Sequence, residues 1–310
     1  MKLNKPKFWD VKYSLISFLL IPFTLIVLII IFLKKKITRE IKFNIPIICV
    51  GNIYLGGTGK TPTAIYVANA LKNMGKNPVI LRKFYKNHID EHKLIKNSFN
   101  NLILCKNRVD GIREAEKANF DVVVLDDGFQ DYKINKNLNI LCFNQLQLVG
   151  NGLVLPSGPL RENLNSINLA NIVIINGNRD INFEKKILKI NNDLEIFYSN
   201  YRPINMEQFK GKKLLAIAGI GNPNNFFDLL KKNNLLVEKK MIFPDHYEFT
   251  EIEINNIIEE SVSKNYQIIM TEKDYFKVKS FNYNKIKFLK VVLEIKNKDK
   301  LIKKICEIYD

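Results

Sequence analysis

Ile45-Pro46-Ile47-Ile48-Cys49-Val50-Gly51-Asn52-Ile53-Tyr54-Leu55-Gly56-Gly57-Thr58-Gly59-Lys60-Thr61-Pro62 decides the fold of this chain. A short apolar, β-branched run breaks into a glycine-rich turn, and the helix-compatible stretch Ala64 to Leu71 follows. The pattern predicts strand, phosphate loop and helix. Glycines let consecutive backbone N–H groups converge on an anion, and the helix N-terminus adds its partial positive charge. Gly56, Gly57, Thr58, Gly59, Lys60, Thr61 and Pro62 are therefore candidate nucleotide-binding residues. Lys60 would reach the β- and γ-phosphates, and the Thr61 hydroxyl would ligate Mg²⁺. Tyr54 stands where the strict G-x-x-x-x-G-K-[ST] pattern has its first glycine.

Outward from this loop, apolar strand-like runs alternate with helical patterns. Pro78 to Leu81, Leu102 to Cys105, Phe120 to Leu125, Leu138 to Phe143 and Ile172 to Ile175 read as strands, and Gly111 to Asn119 as a helix. Such alternation predicts an α/β layered domain with ligands at the carboxyl ends of its strands. Phe120 to Leu125 ends in Asp126-Asp127-Gly128-Phe129-Gln130, the place of a Walker B carboxylate, where an acid would hold Mg²⁺ opposite Thr61. The bland alternative is an Asp-Gly turn at a strand end.

A second unit begins near Lys212, where Lys213 to Ala218 leads into Gly219-Ile220-Gly221-Asn222-Pro223. That turn lacks the third glycine of a dinucleotide fingerprint and reads as a tight strand–helix connection. Thr250 and Glu253 have the spacing of a capping box. Just before them, Phe243-Pro244-Asp245-His246-Tyr247 presents a histidine. Asp90 and Glu91, flanked by His88 and His92, read as a solvated polar loop. Leu155 to Glu162 combines a rigid turn with Arg161, which would stabilise transferred phosphate charge, and Glu162, which would extend a metal's coordination. A surface ion pair between these two explains the turn equally well.

The chain has 310 residues, with 48 Lys and Arg against 31 Asp and Glu, a formal charge of +17. Lysines dominate this excess and are dispersed, which fits AT-rich codon bias and argues against a nucleic-acid partner, since that would cluster arginines and aromatics on one face. Four cysteines lie far apart without metal spacing, and Cys49 and Cys142 read as reduced core residues of a cytoplasmic protein. Tyr13 to Leu33 is an uncharged run of 21 residues flanked by lysines on both sides. As one helix it would be about 31 Å long, enough for a bilayer core. Pro22 and the symmetrical basic flanks favour a kinked helix or tight hairpin in the inner leaflet over a span.

Together the motifs resemble the tetraacyldisaccharide 4'-kinase family of lipid A synthesis. The matching segments are Val50 to Asn52 with Gly56 to Pro62, Leu125 to Gln130, Pro156 to Glu162, Ala218 to Pro223, Phe243 to Tyr247, and Thr271-Glu272-Lys273-Asp274. They stand in the family's order, behind a matching N-terminal apolar segment. The resemblance implies transfer of the ATP γ-phosphate, with Mg²⁺, to the 4'-hydroxyl of a tetraacylated disaccharide 1-phosphate at the cytoplasmic face of the inner membrane. It implies two α/β/α layered domains: a phosphate-loop NTPase-like domain at 41–205 and a smaller α/β domain at 206–310, after a membrane-associated helix at 1–40. Position by position, it assigns Asp90 as the base with His246 as its partner, Lys60 to the nucleotide, Asp126 and Asp127 beside the metal, and Arg161 with Glu162 near the phosphates. All of these but Glu162 form the catalytic set. It assigns Thr61, Asp127, Glu162 and Gln130 to the metal, and Arg82, Arg108 and Asn52 to the substrate. Three places depart from the family pattern. Leu81-Arg82-Lys83-Phe84-Tyr85-Lys86 lacks the family's glycines, His92 replaces a proline after Asp90-Glu91, and Asn107-Arg108 replaces an Asp-Arg pair. The competing reading is a membrane-tethered phosphate-loop NTPase that switches partners.

Overall fold

In the computed structural model, which describes residues 6–86, 89–245, 247–278 and 284–309, the decisive stretch forms strand β1 (Ile47–Gly51), a loop, and helix α3 (Lys60–Asn73). Two helices precede them, the short α1 (Leu15–Leu19) and the longer α2 (Ile21–Ile37). Every residue of β1 is buried, as expected of a central parallel strand covered on both faces. Strands β2 (Pro78–Lys83), β3 (Leu102–Cys105), β4 (Val122–Asp126), β5 (Leu138–Asn144), β6 (Ile172–Asn176) and β7 (Glu195–Pro203) follow along the chain. With β12 (Val291–Ile295) they form an eight-stranded sheet in the order β12-β7-β6-β5-β1-β4-β2-β3. β1 pairs in parallel with β4 on one side and β5 on the other. The connection from β4 to β5 thus crosses β1, which creates a switch point at the carboxyl ends of these strands, the usual ligand crevice of such sheets.

Helix α3 covers the sheet through Thr63, Ala64, Val67, Ala68 and Leu71, a stripe at helical spacing. Helix α5 (Arg108–Lys117) is capped by the Asn107 side chain, which accepts from the Val109 N–H, and buries Val109, Ile112 and Ala115. Asn107, one of the three departures, is thus a helix cap.

A smaller parallel sheet has the order β11-β10-β8-β9, from β8 (Leu214–Ala218), β9 (Val237–Ile242), β10 (Gln267–Thr271) and β11 (Ile286–Leu289). Around it run α7 (Pro223–Lys232), α8 (Glu251–Ser263) and α9 (Glu272–Val278). The Thr250–Glu253 capping box is formed in both directions at the start of α8. The described residues divide into two compact units. One holds Tyr85–Ser98 with Tyr201–Glu294, and the other holds the stretch up to Phe84, Phe99–Asn200 and the chain from Ile295 onward.

Helix α4 (Ile89–Ser98) is where the sequence misleads most. The polar loop expected around Asp90 is a helix, and Asp90, His92 and Ile95 are buried on it. Although it lies between β2 and β3 in sequence, α4 packs against α9 and belongs to the unit of the smaller sheet. The apolar run also differs from a single helix. It breaks at Leu20, and Pro22 starts α2 in the first turn, where its missing N–H costs nothing. Among the described residues, no helix is long and apolar enough to cross a membrane.

The cysteines are free, and burial pushes the Cys49 thiol up to about 11 and the Cys142 thiol up to about 12. Both are inert core groups, as their apolar surroundings in sequence suggest.

Candidate active site

At the carboxyl end of β1 the backbone turns through Gly56, whose φ of 136° suits glycine, and reaches α3 through Gly59, whose φ is 90°. Tyr54, in place of the family-independent first glycine, is buried and bridges to Leu160, so its ring fills core while Gly56 provides the conformational freedom. Asn52 is fully buried, and its Nδ2 donates to the Tyr54 carbonyl at 2.6 Å and to Thr58 Oγ1 at 2.9 Å. Gln130 Nε2 donates to the Asn52 carbonyl at 2.9 Å. Asn52 and Gln130, expected at substrate and metal, are thus seen shaping the loop.

Asp126 and Asp127 leave β4 beside this loop. Thr61 Oγ1 donates to Asp126 Oδ2 at 3.0 Å. The Arg82 guanidinium, at the end of β2, pairs with the same carboxylate oxygen and lies 3.1 Å from Thr61 Oγ1. A hydroxyl and a fully buried carboxylate therefore converge on one point, and a positive group already sits there. This oxygen set suits a hard divalent cation. Arg82, expected at the substrate, is seen here as the partner of the Walker B acid.

Asp127 adopts a left-handed backbone with φ of 60°, a conformation aspartate tolerates better than most residues. The turn aims its carboxylate at Arg161 Nη1, 2.9 Å away, and at Lys60 Nζ, 3.8 Å away. Arg108 Nη2 donates to the Asp127 carbonyl at 2.6 Å, and Arg108 Nη1 lies 3.5 Å from Asp131. Burial pushes the Asp127 carboxyl up, but Lys60, Arg161, Arg82 and Arg108 outweigh it and hold the group below its ordinary value. Four cations around one carboxylate leave a surplus of positive charge, which is what a polyphosphate would meet. For a lowered carboxylate, the stabilisation is present above the unfolded value near 4 and is lost as pH falls through the lower folded value. Asp127→Asn should therefore flatten the fall of Tm from about pH 5 down to about pH 2, measured by acid titration of thermal unfolding. An unchanged slope would show that these cations do not act on Asp127.

Glu162 is buried and faces Lys35 Nζ, 2.6 Å away in the last turn of α2. The neighbouring Tyr132 is pushed up by burial and then by Glu162. Sequence reading placed Glu162 at the metal and gave Lys35 no part beyond a basic flank.

A second cluster lies within the unit of the smaller sheet. Lys273 Nζ, on α9, is 3.0 Å from Glu91, 3.0 Å from Asp245 and 3.6 Å from Asp90. Lys277 Nζ is 3.7 Å from Asp90 and 2.7 Å from Asp274. Asp274 is fully buried and accepts from the Gly219 N–H and the Thr271 hydroxyl, each at 2.7 Å. Burial pulls the Lys273 ammonium down, but Glu91, Asp245 and Asp90 outweigh it and raise it. The Thr271 to Asp274 motif thus acquires a structural meaning: it ties Gly219 to the helix whose lysines hold Asp90. His246 lies outside the described residues.

These two clusters can be set beside known proteins. The model of the tetraacyldisaccharide-1-P 4'-kinase family matches residues 16–96 and 90–309. The chain belongs to this family. The tetraacyldisaccharide 4'-kinase of Pelagibacter ubique is 40% identical over 315 residues, covering 99% of both chains. That of Rickettsia canadensis is 32% identical, covering 98% of this chain and 97% of its own. Among solved structures, an apo-form LpxK from Aquifex aeolicus in complex with ATP matches with a TM-score of 0.74 and 25% identity, over 96% of this chain and 100% of that one. The tetraacyldisaccharide-1-P 4'-kinase match includes the Asp90 helix and the Thr271 to Asp274 motif, so both clusters lie in the part the family shares.

Proposed function

We propose that this kinase binds ATP on the Gly56–Thr61 loop and transfers its γ-phosphate to the 4'-hydroxyl of a tetraacyldisaccharide 1-phosphate at a membrane surface. The observation that carries the reading is the cation-rich surround of Asp127, built onto a phosphate loop in a chain of this family. Lys60 and Arg161 neutralise charge on the phosphates, and the backbone N–H groups of the loop cradle them. Thr61 and Asp126 would hold Mg²⁺, with Arg82 displaced from their shared oxygens. When bound, that ion neutralises charge on the transferring group. Asp90, 3.6 Å from Lys273 Nζ and 3.7 Å from Lys277 Nζ, accepts the proton of the acceptor hydroxyl.

The membrane assignment rests on α1 and α2, whose exposed residues include Leu15, Leu19, Phe23, Phe32 and Ile37. Such an apolar face, closed by Lys34 to Lys36, suits the interface of an anionic leaflet. This face supports a working position at the cytoplasmic face of the inner membrane, where ATP is available.

A coupled assay of ADP release tests the reaction. Adding detergent-dispersed disaccharide 1-phosphate should raise ADP formation by about tenfold or more over the acceptor-free rate, because positioning the acceptor is most of what such catalysis requires. ADP release indifferent to the acceptor would contradict the proposal and favour the tethered NTPase.

A further inference from the structure

Helices α1 and α2 are inside out. Their exposed residues are large and apolar, Leu15 at 76% and Ile37 at 75%, while their buried residues are Ser17 and Thr24, at 2% and 6%. A hydroxyl withdrawn from water is costly unless it is hydrogen-bonded. A helix that served only to anchor the chain would need no buried hydroxyls.

Both hydroxyls meet one stretch, 151–162, which ends in Arg161 and Glu162. Thr24 Oγ1 lies 2.7 Å from Ser157 Oγ and 3.1 Å from the Val154 carbonyl, and accepts from the Ser157 N–H at 3.2 Å. Asn151 Nδ2 donates to Ser17 Oγ at 3.1 Å and to the Ser157 carbonyl at 2.9 Å. Ahead of α1, Trp9 Nε1 donates to the Pro156 carbonyl at 3.0 Å, and the Trp9 carbonyl accepts from the Asn151 N–H at 2.8 Å. Lys35 reaches Glu162 from the far end of α2.

The other side of the same turn is tied to the phosphate loop. The Leu55 N–H donates to the Pro159 carbonyl at 2.8 Å, and the Arg161 N–H to the Ile53 carbonyl at 2.7 Å. Gly158 closes the turn so tightly that a Cβ there would strike Asn151 Oδ1 and the Leu153 carbonyl. Arg161 then points back to Asp127. The turn is held between the apolar segment on one side and the phosphate loop on the other.

We propose that the N-terminal segment is a built part of the phosphate site, in which Thr24 is a positioning residue that sets Arg161 through Ser157. This rests on the reading of Arg161 as a phosphate-facing group. Thr24 inserts one hydroxyl between the Val154 carbonyl and the Ser157 amide, so it fixes both limbs of the turn at once. The apolar face and the hydroxyl face of the segment have separate tasks: one meets lipid, the other holds the turn.

The test uses the full chain with Thr24→Val, Thr24→Ser and Arg161→Ala, alone and combined. Thr24→Val keeps the volume and the apolar face and removes the hydroxyl. It should lower kcat about five- to tenfold, the effect of one buried hydrogen bond. The lipid KM and partitioning onto phosphatidylglycerol-containing vesicles should stay unchanged, and Thr24→Ser should restore the rate. In the Arg161→Ala background, Thr24→Val should add nothing, as expected of residues acting through one another. A full rate in Thr24→Val, or a loss that multiplies with that of Arg161→Ala, overturns the proposal while the reading of Arg161 stands. A full rate in Arg161→Ala overturns that reading, and the proposal with it. Should Thr24→Val fail to fold, Trp9→Phe removes the bond to the Pro156 carbonyl and should show the same non-additivity with Arg161→Ala.

Discussion

Asp90→Asn should lower kcat by about 100-fold or more while the KM for ATP stays within about twofold, because general-base catalysis contributes on that scale. The substitution is nearly isosteric, so Ile95 and the rest of the buried face of α4 stay in place. Lys273 keeps Glu91 and Asp245 as partners, and Lys277 keeps Asp274, so neither ammonium is stranded. What is lost is a carboxylate able to take the acceptor's proton. Separate kcat and KM measurements decide the matter. An unchanged kcat would remove Asp90 from the mechanism, and a kcat loss accompanied by a large rise in the KM for ATP would place it at the nucleotide instead.

Lys60→Ala acts on both quantities. Lys60 opens α3, with its ammonium 3.8 Å from Asp127, and the glycine turn before it directs the helix N-terminus to the same point. Removing one preorganised cation from a developing phosphate charge costs about 100- to 1,000-fold in rate, and the ground-state phosphates lose the same contact. We expect a kcat/KM for ATP lower by at least that factor, with KM raised and kcat reduced together. The fold should survive, because Arg161 still faces Asp127 at 2.9 Å and Thr61 still donates to Asp126. A Tm close to wild type alongside the lost activity would separate the chemical effect from unfolding. A variant with normal ATP kinetics would mean that the phosphates bind elsewhere.

The phosphate site is legible in sequence because its parts are local. A β-branched run, glycines and Lys-Thr fall within eighteen residues, and Asp126 ends a five-residue strand that is buried throughout, with Asp127 next. The pairings between distant residues are not legible in the same way. Arg82 meets Asp126 across two neighbouring strands, and only the register of β2 against β4 brings them level. Helix α4 is hidden because two of its three buried residues, Asp90 and His92, belong to types that normally face water. The burial of Asp90 is supported by Lys273 and Lys277, more than 180 positions away. The Tyr13 to Leu33 run shows the opposite difficulty. Its apolar character is plain, but the two hydroxyls that dock it, Ser17 and Thr24, look like ordinary breaks in a hydrophobic segment.

The most direct measurement follows the γ-phosphate itself. Wild type, Lys60→Ala and Asp90→Asn would be incubated with γ-labelled ATP, Mg²⁺ and detergent-dispersed tetraacyldisaccharide 1-phosphate, and the lipid fraction analysed for label. Wild type should form a labelled bisphosphorylated lipid carrying the new phosphate at the 4'-hydroxyl, and either variant should form almost none. Label released only as inorganic phosphate, with no labelled lipid, would contradict the proposed transfer.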